Sequence, residues 1–131
     1  MLIKQVMEIF DLLDSPSASG EEVARELERR GPAEITVRTI RDGKNSTDFI
    51  RIAVAGRAGK TAGGTAPTLG IVGRLGGIGA RPEVTGFVSD GDGALCALAV
   101  AAKLLDMKAR GDSLEGDVIL CTQICPHAPT Q

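Results

Sequence analysis

The chain has 131 residues, enough for one domain with a single sizeable core. A formal net charge of −2, three Phe and no Trp or Tyr argue against a nucleic-acid surface, which needs clustered cations and stacking aromatics. Three cysteines without Cys-x-x-Cys spacing point to a reducing compartment, and neither a signal peptide nor an apolar run of transmembrane length is visible. The expectation is a cytoplasmic protein with no nucleic-acid or membrane partner.

In chain order, residues 2–13 place Leu2, Ile3, Val6, Ile9, Phe10 and Leu13 at helical spacing, and Pro16 stops that helix. The stretch SASGEEVARELERRG predicts a second helix. Ser19 caps it, Glu22 sits three residues on as in a capping box, acids fill the first turn, and Arg29 and Arg30 fill the last. Residues 34–40 alternate as a strand, Asp42-Gly43 turns the chain, and residues 47–55 form a second strand with Ile50, Ile52 and Val54 inward.

The second strand runs into Gly56-Arg57-Ala58-Gly59-Lys60-Thr61, which at a glance resembles a phosphate-binding loop. That motif requires a glycine five residues before the Gly-Lys-Thr glycine, and Val54 stands there. The continuation Ala62-Gly63-Gly64-Thr65-Ala66-Pro67 is poor helix, so no helix N-terminus is offered to an anion. The spacing predicts a loop with Arg57 and Lys60 solvated at its tip, and no bound nucleotide. Nucleotide binding is the minor alternative.

Residues 68–75 and the short apolar run 83–89 predict two further strands. A long helix follows from about Asp92 to Ala109; it lacks a polar face from Ala94 to Ala102 and should be buried on most sides. Residues 117–123 predict a last strand. A buried helix between strands implies a crossover in a parallel or mixed sheet, with strands 83–89 and 117–123 parallel. The fold class expected is α/β, a three-layer αβα sandwich with a mixed sheet, in one domain over residues 1–131.

Ligand sites of open α/β sheets lie beyond the carboxyl ends of the strands. Two clusters fall there, Ser89-Asp90-Gly91-Asp92 and Gln123-Ile124-Cys125-Pro126-His127. Asp90 and Asp92 stand at a helix N-terminus, where one carboxylate can simply be a cap, or both can ligate a divalent ion. Cys125 and His127, the only histidine, are two residues apart and could reach the same ion. Cys121 lies about 13 Å from Cys125 if the chain stays extended, too far to share it, so Cys121 and Cys96 read as small core residues. The candidate metal set is therefore Asp90, Asp92, Cys125 and His127, with Asp90 and His127 as the central pair.

The segments LLDSPSASGEEVARELERRG, RDGKNSTDFIRIAVAG and VSDGDGALCALAVAAKLL, with LEGDVIL after them, are similar in order and spacing to the co-catalytic zinc aminopeptidases and deacylases. Across nearly all its length the chain resembles the N-terminal part of a bacterial family of unknown function, domain family 1177. The zinc-enzyme resemblance implies a zinc-exopeptidase-like fold, part of a longer family fold, in which Asp90 matches the metal-bridging aspartate. It departs at the other ligand positions: Val72-Gly73-Arg74-Leu75-Gly76 stands where a His-x-Asp would be, and Gln123-Ile124-Cys125-Pro126-His127 where a Glu-Glu pair would be.

A metal-activated water needs three protein ligands, an open position and a base. The resemblance therefore implies a metallopeptidase-like hydrolase of amide or peptide bonds with a degenerate or incomplete metal site, holding zinc or manganese if any ion. No catalytic residue can be named from the sequence. The alternative is a non-catalytic ligand-binding or assembly module on the same scaffold. The partners implied are a small-molecule or peptide substrate and a second copy of the chain, or a C-terminal half that completes the sheet.

Overall fold

The computed structural model describes residues 2–15, 17–73, 77–79 and 91–128. Two helices come first, α1 (Ile3–Leu13) and α2 (Gly20–Arg30). A hairpin of β1 (Glu34–Asp42) and β2 (Asn45–Val54) follows, then a single 3-10 turn at Lys60–Ala62. The remaining elements are β3 (Leu69–Val72), β4 (Gly77–Gly79), α3 (Asp92–Ala109) and β5 (Val118–Ala128).

The strands form an open mixed sheet in the order β1-β2-β5-β3, with β4 pairing the distal part of β5. β1 and β2 are antiparallel, β2 and β5 are antiparallel, and β3 and β4 both run parallel to β5. The helix α3 lies in the connection between the parallel strands β3 and β5, as a crossover requires. The expected strand 83–89 lies outside the described residues, so its pairing with 117–123 is not described; β3 is the parallel neighbour adjacent to residues 118–121.

Local chemistry explains the element ends. The Ser19 hydroxyl accepts the Glu22 N–H at 3.2 Å, so the sequence-predicted N-cap of α2 is present. The Asp48 carboxylate accepts the Gly20 N–H at 2.8 Å and the Thr39 hydroxyl at 2.6 Å, fastening the start of α2 to the hairpin. The hairpin turns at Gly43 with φ 62°, a left-handed conformation that glycine adopts without a Cβ penalty.

Alternation along the strands determines the layers. Ile50, Ile52 and Val54 of β2, and Val118, Leu120 and Ile124 of β5, are buried and share one cluster with Ile9 and Leu13 of α1, Val23 and Leu27 of α2, and Ala94, Leu98 and Leu105 of α3. Ile35, Val37 and Ile71 pack against the same cluster. Phe49 and Arg51 alternate with the buried residues of β2 and are exposed. Among the described residues all three helices therefore cover one sheet face, which makes two layers there rather than the three expected. The physical reason is the period-2 burial of β2: a sheet sandwiched between two helical layers is apolar on both faces.

The central helix matches its expected span. Ala94, Ala97, Leu98, Ala99, Ala101, Ala102 and Leu105 are buried, so α3 is covered around most of its circumference. Cys96, expected in the core, is exposed, and Cys121 is half-buried on the sheet face away from the helices. Neighbouring alanines, small enough for close backbone approach, take the buried positions of α3, leaving Cys96 on its uncovered flank.

One polar network ties the three helices together. The Arg30 guanidinium, side chain 9% exposed, donates to Asp106 at 2.7 Å, to Glu26 at 3.3 Å and to Glu8. Gln5 donates to the same Asp106 oxygen at 2.8 Å. Burial works to lower the Arg30 pKa, but the hydrogen bond to Glu8 and the charges of Asp106, Glu8 and Glu26 outweigh it and hold it above the ordinary value.

Candidate functional site

The glycine-rich stretch after β2 is wound around one carboxylate that sequence reasoning treated only as the first residue of a strand. Asp117, 6% exposed, accepts the Gly56 N–H at 2.8 Å on one oxygen. Its other oxygen accepts the Thr61 N–H at 3.0 Å and the Thr61 hydroxyl at 2.8 Å. The loop backbone adds Arg57 N–H to Leu114 O and Ala58 N–H to Glu115 O, each 2.9 Å, and Leu69 N–H to Asp117 O at 2.9 Å. A Cβ at Gly116 would run into the Pro67 carbonyl oxygen, so the backbone approach here needs glycine.

This arrangement accounts for the Gly59-Lys60-Thr61 motif. The Thr61 N–H and hydroxyl, which a phosphate-binding loop would direct to nucleotide and metal, are given to Asp117. The two backbone and one hydroxyl hydrogen bonds from Gly56 and Thr61 hold the Asp117 carboxyl below its ordinary pKa against the effect of burial, and the charge of Lys108 acts in the same direction. Lys60 is exposed, as expected. Arg57 is exposed too, but it pairs with Glu115 at 3.1 Å.

Beside Asp117 lies a groove of about 380 Å³ lined by residues of β1, β2, β5, α3 and the loop, within the size range of small-molecule sites. Ala53, Ala55 and Ile119 contribute apolar surface, and Arg51, Lys108 and Glu34 contribute charge. None of these three charged side chains makes an ion pair among the described residues. The larger open cleft between α1 and α2 is lined by Glu8, Glu26, Arg29 and Arg30, whose charges are already paired with one another. The groove signal in the sequence was faint: an arginine on the polar side of β2, a lysine in the last turn of α3, and a Gly-Asp pair opening an apolar run.

Of the four metal candidates, Asp92 and Cys125 have described side chains. Asp90 lies outside the described residues. Asp92 is exposed in the first turn of α3, where the helix N-terminus favours its charge. β5 continues to Ala128, so Cys125 and His127 stand within a strand rather than in the loop expected past residue 123. Ladder pairing with β2 and β4 carries the strand beyond the expected end. Cys125 follows the buried Ile124, so its side chain is on the face away from the helices, where its thiol lies 3.5 Å from the Ser46 carbonyl oxygen. The side chain of His127 lies outside the described part. Among the described residues, which include neither Asp90 nor the His127 side chain, no group of three His, Cys, Asp or Glu side chains could hold a metal.

No helix among the described residues is long and apolar enough to cross a membrane. No curated protein matches this chain. The family model of a protein of unknown function, DUF1177, matches residues 38–131, which contain most of the hairpin, the Asp117-centred loop, α3 and β5; the chain belongs to that family.

Proposed function

We propose that this chain is a non-catalytic binding module whose ligand is a small molecule of the amino-acid or short-peptide class, seated in the groove beside Asp117. The observation that carries this reading is the set of three charged side chains, Arg51, Lys108 and Glu34, lining an apolar-floored groove without ion pairs among the described residues. Asp117 has its lone pairs engaged by Gly56 and Thr61, so it positions the wall rather than contacting ligand. Two cations and one carboxylate then remain for a ligand. They favour a molecule with one or two carboxylates for Arg51 and Lys108 and a hydrogen-bond donor or ammonium for Glu34.

The test is nuclear magnetic resonance titration of the labelled protein with L-glutamate, and with putrescine as a purely cationic control. Glutamate produces saturable shifts at the amides of Ala53, Thr61 and Ile119, and putrescine does not. Arg51→Ala combined with Lys108→Ala removes the response while the circular dichroism spectrum is kept. No shift at millimolar glutamate, or shifts unchanged in the double variant, refutes the reading.

A second reading, a metallopeptidase-like hydrolase on a zinc-exopeptidase-like fold with zinc or manganese, is favoured by one observation. The start of α3 sits at the carboxyl end of β3, where Gly73 packs against the Gly93 carbonyl oxygen, next to Asp92. Metal stoichiometry of the purified protein decides it. Tight binding abolished by Asp90→Asn and by His127→Ala, but not by Asp92→Asn or Cys121→Ala, supports the hydrolase. Metal-free protein with no calorimetric signal on zinc addition removes it.

A further inference from the structure

Helix α1 is apolar over more than half of its circumference. Ile9 and Leu13 face the core, while Ile3, Met7 and Phe10 are 54%, 61% and 38% exposed on the adjoining flank. A helix that is apolar on an outward stripe as well as an inward one marks a contact surface. The spacing of the outer stripe is four then three, the spacing of a seam between two packed helices. Methionine and phenylalanine are also side chains enriched at such contacts.

We propose that this stripe docks against the same stripe of a second copy of the chain, with the two α1 helices antiparallel and a two-fold axis passing near Met7. The sequence of the helix is complementary to itself in that arrangement. Ile3 and Phe10 lie on either side of Met7, so each Ile3 meets the partner's Phe10 while the two Met7 side chains meet at the axis. Lys4, which is 69% exposed and lies 3.8 Å from Glu8 of its own helix, and Asp11 flank the stripe toward opposite ends, so each lysine comes opposite the other copy's aspartate, and the charges match twice over. The parallel arrangement puts this flank of the two copies on opposite sides of the seam, so neither charge pair forms. The contact uses a single 11-residue helix from each copy, so it belongs with the small, weak interfaces and dissociates on dilution.

Sedimentation velocity of the full chain across a concentration series tests this. A reversible monomer–dimer equilibrium is expected, and Met7→Asp raises its dissociation constant at least about tenfold. Met7 is 61% exposed and outside the core cluster, so that variant keeps its circular dichroism spectrum. Lys4→Glu alone and Asp11→Lys alone each weaken the dimer, and the two together restore it, which a structural role for either residue would not produce. In a Cys96→Ser background, Met7→Cys forms an intermolecular disulfide under mild oxidation and Gln5→Cys, buried on the inner side, does not. A monomer at several hundred micromolar, or a dimer indifferent to Met7→Asp, overturns the proposal. A dimer broken by Met7→Asp whose charge-reversed pair is not restored overturns the antiparallel two-fold arrangement.

Discussion

Truncating Leu98 to alanine tests whether α3 is the buried centre of the fold. Leu98 has no exposed surface and belongs to the cluster that joins α1, α2, β2 and β5. The substitution removes three methyl or methylene groups, a transfer term of about 2.4 kcal/mol at about 0.8 kcal/mol each. A cavity term adds to it, and it is large where neighbours cannot move in to fill the space. Here Ala94, Ala97, Ala101 and Ala102 surround the site on α3 itself and have no side-chain reach. The expected loss is therefore about 4 kcal/mol, in the upper part of the range for Leu→Ala, a large share of the roughly 5–15 kcal/mol that holds a domain together. Cys96→Ala, two residues away and exposed, should cost less than about 0.5 kcal/mol. The chain has no Trp or Tyr, so far-ultraviolet circular dichroism during urea unfolding is the suitable probe. A Leu98→Ala loss below about 1.5 kcal/mol, or a loss at Cys96 of equal size, would show that α3 is not buried as described.

Arg30→Ala should destabilise by about 2 kcal/mol in urea unfolding, less than the loss expected for a fully buried pair, because Glu8, Glu26 and Asp106 are 38%, 25% and 23% exposed and retain solvent; a loss under about 0.5 kcal/mol would reduce the network to surface decoration. The depressed Asp117 pKa implies stability that is present above the ordinary aspartate value near pH 4 and is lost as pH falls through the lower folded value. Asp117→Asn should therefore lower the urea midpoint at pH 7 and flatten its decline as the pH falls below the ordinary aspartate value, and an unaltered pH profile contradicts the assignment. ATP and GTP should not bind at micromolar concentration, because Thr61 already donates to Asp117; calorimetric binding abolished by Lys60→Ala would reverse that conclusion.

The helices were legible because their signals are local. Ser19, Glu21, Glu22, Arg29 and Arg30 mark both ends of α2 within its own sequence, and the apolar run from Ala94 marks α3. The hairpin was legible from its alternation and from Asp42-Gly43. The layer count was not, because it depends on what covers the second face, although the exposed Phe49 and Arg51 already alternated with Ile50 and Ile52 in the predicted strand. The groove was hidden for a different reason. Glu34, Arg51, Lys108 and Asp117 are far apart in the chain, and only the pairing of β1 with β2 and of β2 with β5, with the end of α3 beside them, places them along one groove. β5 runs past the expected residue 123 because its distal part pairs with β4, a partner far off in the sequence.

The position of β5 between β2 and β3 also has a consequence for synthesis. Val54 pairs with Val118, 64 residues later in the chain. At a translation rate of roughly 5–20 residues per second, the β1–β2 hairpin leaves the ribosome about 3–13 s before the strand that completes its inner edge. During that interval Ile50, Ile52 and Val54 have neither a sheet partner on that side nor the cover of α3. The nascent chain therefore presents its most apolar strand edge for a window set by translation rather than by folding, and faster elongation through residues 55–117 shortens the period in which it can pair with the wrong chain.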